Sequence, residues 1–335
     1  MKAFEIQEFG LDKLALVDHE MPRPGTGEVL VRMKAASLNY RDYMVVRGVY
    51  NPKMKRPMVP LSDGSGVVEE VGPNVTRFKR GDRVAASFMQ KWVDGPVTPE
   101  KGASALGGAI DGVLREFAVF SEEGLVSVPA HLSHEDAAAL PCAAVTAWHA
   151  LFEHTPTFPG QTVLLQGTGG VSMFALQFAK LAGLRAIVTS SSDRKLARAR
   201  QLGADETVNY KHAPKWEDEA RKLTGGRGVD HVIEVGGSDT LPRSLRAVRM
   251  QGTISMIGVL SGGGATADPA SILMNSIRLQ GIYVGSRAMF ERMNRAIEVH
   301  RMQPIIDKVF KWTELAEALR YMEQQQHFGK ICLSF

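Results

Sequence analysis

Val163-Leu164-Leu165-Gln166-Gly167-Thr168-Gly169-Gly170-Val171-Ser172 decides how this chain is read. A short apolar strand, Thr162 to Gln166, runs into a glycine-rich turn, and a helical stretch follows through Leu181. The rhythm then repeats. Strand patterns appear at Ala186 to Thr189, Thr207 to Asn209, His231 to Val235, Thr253 to Ile257 and Ile277 to Val284, with a helical pattern at Asp193 to Leu202. Alternation of this kind predicts a parallel, doubly wound sheet with helices on its faces.

In that setting the glycine turn has a specific chemical use. Gly167 permits the tight turn, Gly169 lets the backbone approach a pyrophosphate, and the third position, here the small Ser172, sets how closely helix and strand pack. The helix start, at Gly170 and Val171, offers free N–H groups and a partial positive charge to an anion. The turn therefore reads as a Rossmann dinucleotide-binding site. The second strand chooses the cofactor. An NAD site carries Asp or Glu at its end, for the ribose 2′-hydroxyl, whereas here Ser190-Ser191-Ser192-Asp193-Arg194-Lys195 follows. Ser190 and Ser191 offer hydroxyls and Lys195 a charge-assisted bond to a 2′-phosphate, so NADP(H) is the expected cofactor. Ser192 also suits the N-cap of the next helix. Asp193 is the residue that opposes the NADP reading if its carboxylate turns toward the ribose.

Outward from this centre, residues 1–125 are β-rich, with strand patterns at Glu28 to Lys34, Gly66 to Gly72, Arg83 to Ala86 and Leu114 to Phe120, and a Gly/Pro-rich loop from Ser87 to Gly112. Ser133-His134-Glu135-Asp136 reads as an N-cap with an acidic first turn. A helix near Met289 to His300 and the segment Leu315 to Phe335 come last, and the strand at Lys330 to Leu333 is free to return to the first domain. The expected division is 1–125 with 290–335 in one domain and 126–289 in the other.

Composition limits the function classes. The 335 residues are 44% hydrophobic and 23% charged, with a formal charge of +4, which suits an ordinary globular protein of about two domains. The clusters Lys53/Lys55/Arg56 and Arg77/Lys79/Arg80 form no concentrated basic face, so no nucleic-acid partner is expected. No apolar run reaches the ~20 residues of a membrane span, and no leader pattern opens the chain, so the cytoplasm is expected and no membrane. Cys142 and Cys332 supply neither a disulfide framework nor a four-cysteine zinc lobe.

Several further motifs tie these readings together: Ala36-Ser37-Leu38-Asn39-Tyr40-Arg41-Asp42, Gly81-Asp82-Arg83-Val84, Leu140-Pro141-Cys142-Ala143-Ala144-Val145-Thr146-Ala147-Trp148, Leu202-Gly203-Ala204-Asp205 and Gly329-Lys330. With the Gly167 turn they resemble the medium-chain dehydrogenase/reductase superfamily, in its zinc-independent, quinone-oxidoreductase-like branch, over essentially the whole chain. The resemblance implies an α/β fold with a GroES-like β-rich catalytic domain, discontinuous in sequence, and an inserted Rossmann domain. It also implies a homodimer or homotetramer paired through the edge of the Rossmann sheet at Ile277 to Val284.

By the same resemblance, the three ligands of a catalytic zinc fall on Asn39, near Ser62, and on Cys142, with Asp63 beside them. An amide and a hydroxyl are poor zinc ligands, so no metal is expected. Asn39, Tyr43, Tyr50 and Thr146 are the expected catalytic residues: Asn39 to donate to an oxyanion, a tyrosine to supply a proton or line a wall, and Thr146 against the nicotinamide. Tyr210 would meet the adenosine end. Gly236, Gly258 and Gly285 would end strands where ligands lie, and Lys330 would approach the cofactor phosphates.

Hydride delivered without a Lewis acid suits quinones and α,β-unsaturated carbonyls, whose product anions are delocalised. An NADPH-dependent reductase of a small-molecule electron acceptor is therefore the first expectation. A zinc-free NADP-dependent alcohol or aldehyde dehydrogenase is the second, and a non-catalytic NADPH-binding protein the third.

Overall fold

The structure is a computed structural model that describes every residue except 259, 261–263 and 265–266. The chain opens with an antiparallel pair, β1 (Lys2–Ile6) and β2 (Leu14–Asp18). There follow β3 (Glu28–Ser37), α1 (Tyr40–Val46), β4 (Asp63–Val71), β5 (Arg83–Ala86), α2 (Pro99–Gly102), β6 (Phe117–Ser121), β7 (Leu125–Ser127) and α3 (His134–Ala138). The capping motif at Ser133 forms as its sequence suggests. Its hydroxyl accepts from Asp136 N at 3.0 Å, and the Asp136 carboxylate accepts from Ser133 N at 3.0 Å.

The second stretch contains α4 (Val145–Trp148), β8 (Thr162–Gln166), α5 (Gly170–Leu181), β9 (Arg185–Ser190), α6 (Asp193–Gln201), β10 (Glu206–Asn209), α7 (Trp216–Leu223), β11 (Val229–Glu234), α8 (Leu241–Ala247), β12 (Val248–Met256), α9 (Pro269–Met274) and β13 (Arg278–Gly281). The six strands form one parallel sheet in the order β10-β9-β8-β11-β12-β13. Every residue of β8 and β11 is buried, so neither alternates between two faces; β8 reads as an apolar run, whereas β11 also buries Asp230, His231 and Glu234. The order reverses between β8 and β11, and in sheets of this kind ligands lie beyond the strand ends at such a reversal.

The chain then adds α10 (Arg287–His300), β14 (Ile306–Lys311), α11 (Leu315–Glu323) and β15 (Lys330–Ser334). β15 pairs in parallel with β14 and antiparallel with β3, so the late strand joins the sheet β14-β15-β3-β4-β5-β7, with β6 on β3. Ile331 and Leu333 enter the core around Val31, Met33, Leu38 and Leu319. The strand β14 carries no pattern that the sequence reading used.

Two compact units result, 1–145 with 284–335, and 146–283. Both boundaries differ from the expected 126 and 289, for local reasons. α3 packs on β3, β4 and β15 of the first unit. At the other boundary, Arg287 N and Ala288 N donate to Trp92 O and Val93 O at 2.9 and 3.0 Å, and Asn294 Nδ2 donates to Ser127 O at 3.0 Å. Among the described residues no helix is long and apolar enough to cross a membrane.

Candidate functional site

In the second unit, Gly167 has φ of 70°, a left-handed value that glycine adopts without strain. A Cβ on Gly167 or Gly169 would meet nothing within 4 Å, so open space lies above the turn. Gly169 is the N-cap of α5, and Gly170 and Val171 begin the helix, where the first N–H groups have no intrahelical partner. Ser172 is buried and donates its hydroxyl to Gln166 O at 2.6 Å, so the third position is filled by a side chain that ties helix to strand. The arrangement suits a pyrophosphate.

Ser190 ends β9 with its side chain buried, and Ser192 N donates to its Oγ at 3.3 Å. Ser192 caps α6 by accepting from Lys195 N. Lys195 and Ser191 are half-buried beside it. The Asp193 carboxylate accepts from Asn209 Nδ2 at 2.7 Å and lies 3.9 Å from His212 Nδ1. Tyr210 is exposed, and its backbone N donates to Ser190 O at 3.1 Å. Thr146 is buried within α4.

Glu234, at the end of β11, was not singled out from sequence. It is wholly buried and accepts from Gln166 Nε2 at 2.7 Å, from Gly236 N at 2.8 Å, from Gly237 N at 3.1 Å and from the hydroxyls of Thr240 and Ser244. A carboxylate among five donors, with no counter-ion among the described residues, shapes the turn after β11. The available signal was an acid inside the buried run His231-Val232-Ile233-Glu234. Two expected ligand glycines have nearer reasons to be glycine. A Cβ on Gly236 would stand 2.2 Å from Thr240 Oγ1, and one on Gly258 would stand 2.3 Å from Val235 O. Gly285 does not end a strand of this sheet. β13 stops at Gly281, and Gly285 lies in the first unit, where a Cβ would meet Val145 Cγ1 at 2.6 Å.

In the first unit, Asn39 precedes α1, and its backbone N donates to Asp42 Oδ2 at 2.8 Å. Asp42 is buried, and that burial raises its carboxyl to about 6, with Arg41 pulling it back. Lys330, expected near the cofactor phosphates, has its ammonium engaged within the first unit: it is 3% exposed and donates Nζ to Leu38 O at 2.6 Å and to Asn39 Oδ1 at 2.7 Å. Asp63 Oδ2 stands 4.0 Å from the same ammonium. Asn39 Nδ2 in turn donates to Ser62 Oγ at 3.4 Å, Ser62 Oγ to Asp63 Oδ1 at 2.7 Å, and Cys142 N to Asp63 Oδ2 at 3.0 Å. Burial raises Asp63, and Lys330 opposes the rise. Burial, with Asp63 adding to it, also pushes the Cys142 thiol far up, so it is a poor thiolate.

The two tyrosines part company. Tyr43 is buried in the core, accepts from Arg47 Nη1 at 2.6 Å and donates to the Glu323 carboxylate, so its hydroxyl is committed to the fold and not to a substrate. Tyr50 is exposed, with the Arg41 guanidinium 5.1 Å from its ring centre and 4.7 Å from that of Phe88.

Comparison with known proteins places this geometry. Residues 25–130 match the model of the alcohol dehydrogenase GroES-like domain, and residues 170–299 match that of the zinc-binding dehydrogenase. A zinc-type alcohol dehydrogenase-like protein of Schizosaccharomyces pombe is 47% identical over 332 residues, covering 97% of this chain and 96% of that protein. The chain belongs to the medium-chain dehydrogenase/reductase superfamily. This dehydrogenase/reductase also superposes on solved structures. One is a putative alcohol dehydrogenase from Sinorhizobium meliloti 1021, with a TM-score of 0.93, 41% identity and coverage of 100% of this chain and 98% of that one. Another is an NAD-dependent alcohol dehydrogenase, with a TM-score of 0.91, 35% identity and full coverage of both chains. The chain is thus an oxidoreductase of GroES-like and Rossmann construction.

The family description implies a zinc ion, and the residues do not fit one. Among the described residues no group of three His, Cys, Asp or Glu is placed to hold a metal. At the positions where the family resemblance puts zinc ligands, this dehydrogenase/reductase has an amide, a hydroxyl and a thiol held protonated. A buried ammonium, Lys330, bonds to that amide.

Proposed function

We propose that this protein transfers hydride from NADPH to a quinone or an α,β-unsaturated carbonyl, without a metal. The observation that carries the reading is the donor set at Asn39, which offers hydrogen bonds to an oxygen and no set of zinc ligands. A bound nicotinamide supplies the hydride at its C4. The chain's own residues would do the rest. Gly167, Gly169 and the start of α5 would hold the pyrophosphate. Ser190, Ser191 and Lys195 would take the 2′-phosphate, a role favoured by the exposed Asp193 carboxylate being bonded to Asn209. Thr146 and Tyr210 are proposed cofactor neighbours. The Asn39 amide would donate to the acceptor oxygen as negative charge builds there. Tyr43 is removed from the catalytic set, and the proton would come from solvent or Tyr50.

Steady-state oxidation of NADPH and NADH with a quinone, an enone and an aldehyde tests this. Turnover of quinone or enone with NADPH is expected to dominate. A dominant aldehyde activity would replace the proposal with the alcohol or aldehyde dehydrogenase reading, which the names of both structural neighbours favour. An NADH preference would overturn the cofactor assignment alone.

We also propose a homo-oligomer paired through β13. Among the described residues this strand pairs with β12 alone, and Leu279 within it and Tyr283 just after it are exposed. A monomer by light scattering would refute it. With only Cys142 and Cys332, both free, a reducing compartment such as the cytoplasm is the proposed setting.

A further inference from the structure

We infer that Lys330 is a positioning residue that makes Asn39 a hydrogen-bond donor only, so that the site selects substrates presenting oxygen lone pairs. This rests on the reductase reading above and sharpens its substrate class. The argument uses only what each group can do. A lysine ammonium donates and never accepts, so the Asn39 atom 2.7 Å from Nζ is the amide oxygen. That orients the whole amide and turns Nδ2 toward Ser62 Oγ at 3.4 Å. The Ser62 hydroxyl hydrogen goes to Asp63 Oδ1 at 2.7 Å, which leaves a lone pair for Nδ2. The direction of the chain is therefore Lys330 to Asn39 to Ser62 to Asp63, with a cation at its head and a carboxyl group at its foot.

Lys330, Ser62 and Asp63 are buried, whereas Asn39 is half-buried. The chain thus meets solvent only at Asn39, which is half-buried; its oxygen is engaged by the ammonium, so the polar group left for a ligand is the amide nitrogen, which donates to Ser62 and also lies toward the Asp63 carboxylate. Withdrawal of electron density by the ammonium strengthens the amide as a donor. A carbonyl or quinone oxygen that gains charge during hydride arrival is stabilised by such a group. An alcohol that must lose its O–H proton finds no acceptor in it.

A double-mutant cycle tests the inference on the full-length protein with NADPH and whichever acceptor it turns over best. Asn39→Ala and Lys330→Met are each expected to lower kcat tenfold or more, with little change in the KM for NADPH. Lys330→Met in the Asn39→Ala background is expected to lower kcat by less than twofold further. A Lys330 that merely supported the fold would give multiplying effects, and that result overturns the inference. Lys330→Arg, which keeps charge and donors, should recover part of the loss and serves if Lys330→Met fails to fold. A second readout needs no turnover. With asparagine labelled with nitrogen-15, the Asn39 carboxamide protons should exchange slowly, and in Lys330→Arg or Lys330→Met their shifts should move toward free-amide values. Unchanged Asn39 resonances refute the inference. If the wild type reduces no acceptor while the resonances behave as expected, the reductase reading fails and the positioning role stands.

Discussion

Asp42 shows how one buried carboxyl shapes the pH response of the fold. Its pKa rises from 3.8 to about 6 because burial penalises the charge, with Arg41 and Lys330 acting against the rise and Asp63 adding to it. A raised carboxyl binds its proton more tightly in the folded chain than in the unfolded one. Stability is therefore greatest below pH 4 as far as this group is concerned, and falls as pH climbs to 6, by about 3 kcal/mol for a rise of about two units. Asp42→Asn keeps an oxygen for the Asn39 N–H and removes the charge. Its stability relative to wild type is expected to rise across pH 4–6 and then level off, as read from urea unfolding at a series of pH values. A difference that does not vary with pH would show that Asp42 is not the group responsible. This environment was not legible in sequence. Asn39 and Asp42 could be picked out as a pair of polar residues, but Lys330, the partner of Asn39, lies 291 residues away in sequence. Tyr43 misled for a related reason. A tyrosine near Asn39 in sequence fits a pocket, and its actual partner, Glu323, lies 280 residues away.

At the scale of elements, the strand and helix starts were the most readable features. An apolar run bounded by glycine marked β8, and serine followed by acid marked the caps of α3 and α6. Those signals are local, involving neighbours within four residues, so the chain carries them openly. β14 was missed because its burial pattern does not alternate, with four exposed or half-exposed residues before Phe310. The end of β9 carries a prediction of its own. Ser190→Asp places a carboxylate where a 2′-phosphate would lie, so like charges would meet. The ratio of kcat/KM for NADPH over NADH is expected to fall by at least tenfold, on the order of 1.4 kcal/mol. An unchanged ratio would remove Ser190 from the cofactor site. The late strand supports a packing prediction. Leu333 is fully buried in the core of the first unit, so Leu333→Ala should cost about 2–5 kcal/mol in unfolding free energy. A cost below about 1 kcal/mol would mean that β15 packs more loosely than its burial implies.

For the molecule as a whole, acid should act on the second unit through His231. Its ring is buried in β11, with Nε2 2.8 Å from Ser255 Oγ, and burial lowers its pKa to about 4. An imidazole that stays neutral when folded but protonates when unfolded costs stability as pH falls. The loss begins near pH 6.5 and amounts to about 3 kcal/mol by pH 4. Amide exchange in β8, β11 and β12 is expected to quicken over that window, and His231→Asn should flatten the response. Equal acid sensitivity in the variant would assign the effect to other groups.

The return of β15 to β3 has a consequence for how the protein is made. Ala35, Ala36 and Ser37 of β3 wait for Ser334, Leu333 and Cys332 as partners, and the whole of the second unit is synthesised in between. At ~5–20 residues per second, the interval on the ribosome is roughly 15–60 s. During that time a nascent sheet has an open edge, the feature most prone to pairing with a neighbouring chain. The second unit, by contrast, is continuous in sequence and can close as soon as β13 emerges. Vectorial synthesis therefore favours completion of the inserted unit before the one that surrounds it, and chaperone capture is expected to concentrate on the N-terminal sheet.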